Sequence, residues 1–422
     1  MRYGANPFVA ALLCMSLAVP ALPESLDVSK PEDVVMSSER LTRIAPLIKG
    51  HVTAKDFSGA VTLVARKGKV VHFEAQGSMD IETNKPMRKD TLFRMASMTK
   101  PITAVAVLML MEEGKLTLSD PVSKFIPEFK NPKLAMWNMP SDPRGAGIHL
   151  VPADREVTLQ HLLTHTAGIA VDAEGPAGQY FRATSLNQIS LAEFSKRVGT
   201  LPLNFQPGTQ WQYTGTIGFA ILGRVVEIVS GINLDQFFKQ RIFTPLGMNN
   251  TFFDIPSSRL ADVATLYRKN GDALVKQETA RPLPAGVEFY NGAGGLTGDA
   301  EDYLRFCEML LNGGQLNGKR LLSRKSIELM TDNAIGDLDL RNHAVPGQNL
   351  AGYGFGLGVR VRKSNGVSGW LGSVGDYGWA GANGTYFWID PKEQLIGMVL
   401  MSTQVGRLRT EFPNAVYQAF VD

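Results

Sequence analysis

The chain has 422 residues, more than one ordinary core holds, so length implies two or three structural units or one large elaborated domain. Hydrophobic residues make up 44% and charged residues 20%, which excludes a disordered or fibrous chain. The 43 Lys and Arg against 40 Asp and Glu leave a net charge of +3, no surplus to drive phosphate binding, so no nucleic-acid partner is expected.

In chain order, the N-terminus comes first. Arg2 supplies a positive start, and an apolar run of twelve residues from Phe8 to Val19 follows. That run is shorter than the roughly 20 residues a membrane span needs. The small residues after it suit a cleavage site, so residues 1–21 read as a signal peptide with export to the periplasm or outside. Cys14 would leave with it. Leu13 is larger than the small residue that lipidation signals want before their cysteine, so a lipid anchor is not expected, nor is stable membrane insertion after removal. Neither Cys14 nor Cys307 belongs to a CxxC pair or a zinc-spaced cluster, which excludes a disulfide framework.

Residues 33–55 are expected to be a helix, with Leu41, Ile44, Leu47 and Ile48 on one face. Residues 60–65 and 70–75, parted by Lys67-Gly68-Lys69, signal a β-hairpin. Residues 97–113 form an apolar helix ending at Gly114. The Pro- and Gly-rich stretch 127–152 reads as a long irregular loop, more often a site lid than a linker. Helices are expected at 158–164, 216–229 and 300–311. The last third turns strand-like at 353–361, 384–389 and 395–401, and a helix at about 411–420 closes the chain. Strands at both ends must pair across the helical middle. The fold class is therefore α+β: an antiparallel sheet flanked by helices, built from residues 25–110 and 290–422, with a mostly helical domain, 111–289, inserted and the active site at the interface.

Ser97-Met98-Thr99-Lys100 is the only Ser-x-x-Lys in the chain. Two fixed positions are weak evidence, since chance supplies about one match in such a length. Their setting strengthens them. Pro101 is tolerated only near the first turn of a helix, which puts Ser97 at its N-terminus. Residues three apart share a helix face, so the Ser97 hydroxyl and the Lys100 amine meet. The positive end of the helix dipole stabilises a developing alkoxide and disfavours charge on Lys100. Residues 102–111 are apolar on nearly every side, so the helix is buried and Lys100 is no ordinary surface charge.

Residues 93–103, Phe-Arg-Met-Ala-Ser-Met-Thr-Lys-Pro-Ile-Thr, resemble the nucleophile helix of the serine β-lactamase and penicillin-binding protein superfamily. Residues 157–168 resemble the helix-and-turn signature of its class C-like branch, residues 207–223 its tyrosine segment and residues 291–314 its Gly-rich turn and following helix. The resemblance covers nearly the whole mature chain in the right order. It implies the β-lactamase/transpeptidase-like fold, Ser97 as nucleophile, and Tyr213 as the partner that takes the serine proton, as tyrosinate or through a network with Lys100. At Gly215 many relatives have an asparagine whose amide holds a β-lactam or peptide; glycine cannot do so.

In place of a cationic Lys-Thr-Gly or His-x-Gly, the chain has Trp379-Ala380-Gly381, which resembles the Trp-x-Gly of family VIII carboxylesterases. The resemblance implies an apolar face at Trp379, close backbone approach at Gly381, and an oxyanion hole made by the N–H groups of Ser97 and Ala382. The expected activity is hydrolysis of carboxylic esters of short to medium acyl groups through an acyl-enzyme, on a small-molecule substrate. A β-lactamase or D-amino-acid peptidase using the same Ser97, Lys100 and Tyr213 is the alternative. No cofactor and no metal are expected: His161 and His165 lie four apart, but no His-Glu-x-x-His accompanies them. There is no Gly-x-Ser-x-Gly to support a nucleophile elbow.

Overall fold

The computed structural model describes residues 1, 26 and 28–422, except 140, 142, 144, 146, 172–174, 279–282, 342–344, 346 and 347. The expected signal peptide lies outside the described residues, apart from Met1.

The frame is an eight-stranded antiparallel sheet. Its strands are β1 (Gly59–Arg66), β2 (Lys69–Asp80), β3 (Lys85–Pro86), β6 (Tyr353–Phe355), β7 (Arg360–Arg362), β8 (Tyr377–Ala380), β9 (Tyr386–Asp390) and β10 (Leu395–Met401), in the order β6-β7-β8-β9-β10-β1-β2-β3. β1 and β2 turn over Lys67 and Gly68, both at positive φ, the backbone that a two-residue hairpin needs. The two ends of the chain join where β1 pairs with β10, from Ala60 opposite Met401 to Arg66 opposite Leu395. Both strands are buried along their whole length because helices cover both faces.

On the outer face, α1 (Ile44–Thr53) and α6 (Leu408–Tyr417) pack Ile44, Ile48, Leu408, Phe412 and Val416 against Val64, Trp388 and Val399. The inner face carries the larger core, with α2 (Thr99–Glu112), α3 (Leu159–Leu163), α4 (Ile217–Ser230) and α5 (Ala300–Leu311). α2 is buried from Thr99 to Leu110, as its unbroken apolar run requires. No single helix among the described residues is long and apolar enough to cross a membrane.

Several elements depart from the sequence reading. The helix expected at 33–55 is three pieces, Pro31–Val34, Ser38–Leu41 and Ile44–Thr53. Val35 at φ 62° stops the first, and Ser37 caps the second by accepting from the Arg40 N–H. Residues 353–361 are not one strand: Gly358 at φ 81° lies between β6 and β7, which pair antiparallel. The stretch 127–152 is not wholly irregular, because β4 (Lys133–Trp137) and β5 (Ile148–Pro152) form a two-stranded ladder. Alternation there is too weak to read against the surrounding Pro and Gly.

Candidate active site

The nucleophile segment is pinned before it becomes helix. Phe93 and Arg94 pair with Gly298 and Thr297, and the Met95 N–H donates to Leu296 O at 2.8 Å. Ala96 then takes φ 46°, a left-handed backbone that costs a non-glycine residue about 1–2 kcal/mol. A single 3₁₀ turn, Ala96–Met98, leads straight into α2. The strained residue thus sits immediately before Ser97. No composition or spacing signal marks Ala96 in the sequence.

Ser97 Oγ receives two donors: Lys100 Nζ at 2.9 Å and Tyr213 OH at 2.7 Å. The three residues read from the sequence as nucleophile and bases are therefore brought together. Lys100 is completely buried and also donates to Ala293 O at 2.8 Å. That carbonyl belongs to the Gly-rich turn, which is sewn to α2 by Thr103 Oγ1 donating to Gly292 O and by the Leu296 N–H donating to Thr99 Oγ1. The ammonium also lies 5.1 Å from the Tyr213 ring centre and 5.8 Å from that of Phe219. Among the described residues no carboxylate pairs with it. Burial without a counter-charge pushes its pKa below the ordinary 10.5, while Tyr213 pulls the other way.

Tyr213 lies just before α4 and is held from below by aromatic rings. His165 meets its ring edge-on at 4.8 Å, Trp379 at 5.4 Å and Trp211, nearly parallel, at 6.4 Å. His165 is buried, stands at φ 58°, pairs through Nδ1 with Thr214 Oγ1 at 2.9 Å, and accepts at its carbonyl from the Gln212 N–H. Burial, and then the nearby Lys100, depresses its pKa far below that of an ordinary histidine, so the ring is neutral. His161 serves elsewhere: it completes a capping box with Thr158 at the start of α3.

Trp379 requires a correction. The expectation was an apolar face offered to substrate. Instead residues 377–380 are strand β8, and Trp379 is fully buried between Tyr213 and Phe355, whose ring meets it at right angles at 5.1 Å. It supports the tyrosine. Strand pairing with β9 explains the burial: Trp379 faces the inner core, and a tetrapeptide bounded by glycines does not advertise this.

Gly381 follows β8 and approaches the nucleophile segment closely. A Cβ there would stand 2.4 Å from Met95 O, 3.3 Å from the Ala96 Cβ and 2.1 Å from Thr385 Oγ1. Thr385, which the sequence did not single out, donates from Oγ1 to Met95 O at 3.1 Å and clamps the turn to that segment. The Ala382 N–H has no hydrogen-bond partner among the described residues. Gly215 is at φ 55°, and a Cβ there would meet nothing within 4 Å. So the position favours glycine or asparagine, and glycine leaves open space.

The arrangement can do acyl-transfer chemistry: a hydroxyl at a helix N-terminus, touched by a phenol and by an amine whose charge is disfavoured. The family described as Beta-lactamase matches residues 44–420. Protein Rv1367c of Mycobacterium tuberculosis is 36% identical over 354 residues, 82% of this chain and 85% of that one. Esterase EstB of Burkholderia gladioli is 34% identical over 324 residues, 71% of this chain and 74% of that one. The solved structure of EstCE1, titled a hydrolase with promiscuous acyltransferase activity, superposes with a TM-score of 0.74 at 26% identity, covering 90% of this chain and 99% of that one. The chain belongs to the β-lactamase family and has its fold, on the side of that superfamily where the family VIII esterases lie.

Proposed function

From that membership we propose a serine carboxylesterase that cleaves neutral esters of short to medium acyl groups through an acyl-enzyme on Ser97. The observation that carries the reading is the double contact on Ser97 Oγ, from Tyr213 OH at 2.7 Å and a buried Lys100 Nζ at 2.9 Å. In the reactive form the Tyr213–Lys100 pair is short of one proton. It takes the Ser97 hydroxyl proton as Oγ attacks the ester carbonyl carbon. The pair gives that proton to the alkoxide leaving group as the ester C–O bond breaks. A water then attacks the acyl-enzyme, yields a proton to the pair, and Ser97 departs with it. The N–H groups of Ser97 and Ala382 receive the oxyanion, each worth about 2.7–4 kcal/mol in the transition state.

Gly215 supports esters over β-lactams and peptides, because no side-chain amide is available at that point to hold an amide-bearing acyl group. Each missing polar contact costs roughly 1–3 kcal/mol. The test is a series of p-nitrophenyl esters of graded chain length beside a chromogenic cephalosporin and a penicillin. The expected result is a kcat/KM at least about 10² higher for the short esters. A penicillin turned over as efficiently as a butyrate ester would sink the assignment in favour of the β-lactamase or peptidase reading. A second reading, transfer of the acyl group to an alcohol, uses the same residues with an alcohol in place of water. The promiscuous acyltransferase activity of the similar hydrolase EstCE1 favours keeping it. Product analysis with added alcohol separates the two.

A further inference from the structure

The Ala382 N–H and Gly381 O belong to one peptide unit. Its oxygen accepts from Arg409 Nη2 at 2.7 Å, a buried contact across 28 residues of sequence, and from the Gly384 N–H at 3.2 Å. Arg409 is 3% exposed and occupies the first turn of α6. That is a costly place for a guanidinium. Burial, then the neighbouring Arg360, lowers its pKa to about 10, and the positive end of the helix disfavours it further. It stays charged at neutral pH all the same.

A trans peptide is planar, so its C=O and N–H point in opposite directions, and fixing one fixes the other. A charge-assisted bond to the oxygen also draws density from the nitrogen and strengthens the N–H as a donor. The Gly381 contact with Met95 and Ala96, with the Thr385 clamp, sets where the turn lies. The Gly381 N–H donating to Thr385 O at 2.8 Å closes it. What those contacts leave open is rotation of the 381–382 peptide plane, which the Gly384 N–H at 3.2 Å and the shorter, charge-assisted Arg409 bond at 2.7 Å hold. We propose that Arg409 is a positioning residue that grips Gly381 O and thereby aims and polarises the Ala382 N–H at the oxyanion forming on the substrate beside Ser97. This rests on the reading of Ala382 as an oxyanion donor.

The test compares an ester with its matched thionoester in wild type, Arg409→Met and Arg409→Lys. Sulfur is a weak acceptor, so the thionoester draws little on the oxyanion donors. Removing a donor outright costs about 10²–10³ in kcat, so misaiming one is expected to cost about 10–100-fold. Arg409→Met should lower ester kcat by that amount with KM little changed, and thionoester kcat by less than about threefold, so the ester-to-thionoester ratio shrinks. Arg409→Lys, with one short-range cation, should recover part of the ratio. An unchanged ratio in a folded Arg409→Met, or parallel loss of both substrates, would overturn the proposal. If the methionine variant does not fold, the lysine variant carries the same comparison. Failure of both to fold would make the guanidinium a folding requirement and would also overturn it. Ser97→Ala separates the two levels. If it keeps ester hydrolysis, the acyl-enzyme reading falls. If it is silent while the ratio ignores Arg409, only the positioning role falls.

Discussion

Arg66 and Lys100 are buried cations on opposite faces of the same sheet, and they are treated in opposite ways. Arg66, at the end of β1 on the outer face, is 1% exposed and fully engaged. It reaches Asp422 at 2.9 Å, Glu393 at 3.1 Å and the Val34 and Val35 carbonyls at 3.1 and 3.0 Å, and it lies over the Phe420 ring. Lys100, on the inner face, has a serine hydroxyl, one carbonyl and two aromatic rings. The first arrangement ties the chain's last residue to its first strand. The second keeps an amine short of charge next to a hydroxyl. A buried cation with its counter-charges supplied is architecture; one denied them is poised to exchange a proton.

Lys100→Met breaks the contrast most sharply. Removal of the proton acceptor should lower kcat by about 10³ or more while the fold is kept, since a methionine fills the site without a charge to bury. Stability should hold or rise. The sign follows from burial: the folded-state pKa lies below the unfolded value, so the lysine penalises folding below the lowered pKa and less so as pH climbs towards 10.5. The gain in Tm should therefore be largest at neutral and lower pH and should fade in alkali. The rising limb of the wild-type rate–pH profile, below the ordinary lysine range, should vanish in the variant. A variant that loses stability at pH 7 would contradict the contrast.

Tyr213→Phe keeps the ring against His165 and Trp379 and removes only the hydroxyl. We expect kcat to fall by at least about 10² with KM little changed. Near-normal turnover in a folded variant would return Tyr213 to packing alone and leave Lys100 as the sole base. Arg66→Met tests the other face. It should leave kcat unchanged and cost about 2–3 kcal/mol in chemical denaturation, because the Val34 carbonyl and the Glu393 and Asp422 carboxylates lose their donor. A change in turnover would show the faces to be coupled. The smallest effect is expected for Gly215→Asn. Its backbone at φ 55° suits asparagine and its surroundings are open, so stability should change by less than about 1 kcal/mol, while cephalosporin hydrolysis should rise relative to ester hydrolysis.

The legibility of the site in the sequence follows the same division. Ser97 and Lys100 share a helix face three residues apart, which is local geometry and can be read from spacing. Tyr213 needed the resemblance, because nothing local aims a residue across 116 positions. The sheet order was legible only as strands at both ends, and the β1–β10 ladder is the long-range event that makes it. Trp379 was misjudged because burial depends on which strand lies beside it. Ala96, Thr385 and Arg409 left no trace: their roles consist of one backbone angle and two hydrogen bonds to carbonyls, and carbonyls have no sequence.

Whether Ser97 carries the acyl group is decided by intact-mass analysis of enzyme quenched during turnover of a p-nitrophenyl ester. An adduct equal to the acyl group, mapped by peptide digestion to Ser97, is expected to accumulate in wild type and to be absent from Ser97→Ala, which also loses essentially all hydrolysis. An adduct on another residue, or hydrolysis by Ser97→Ala within tenfold of wild type, would contradict it.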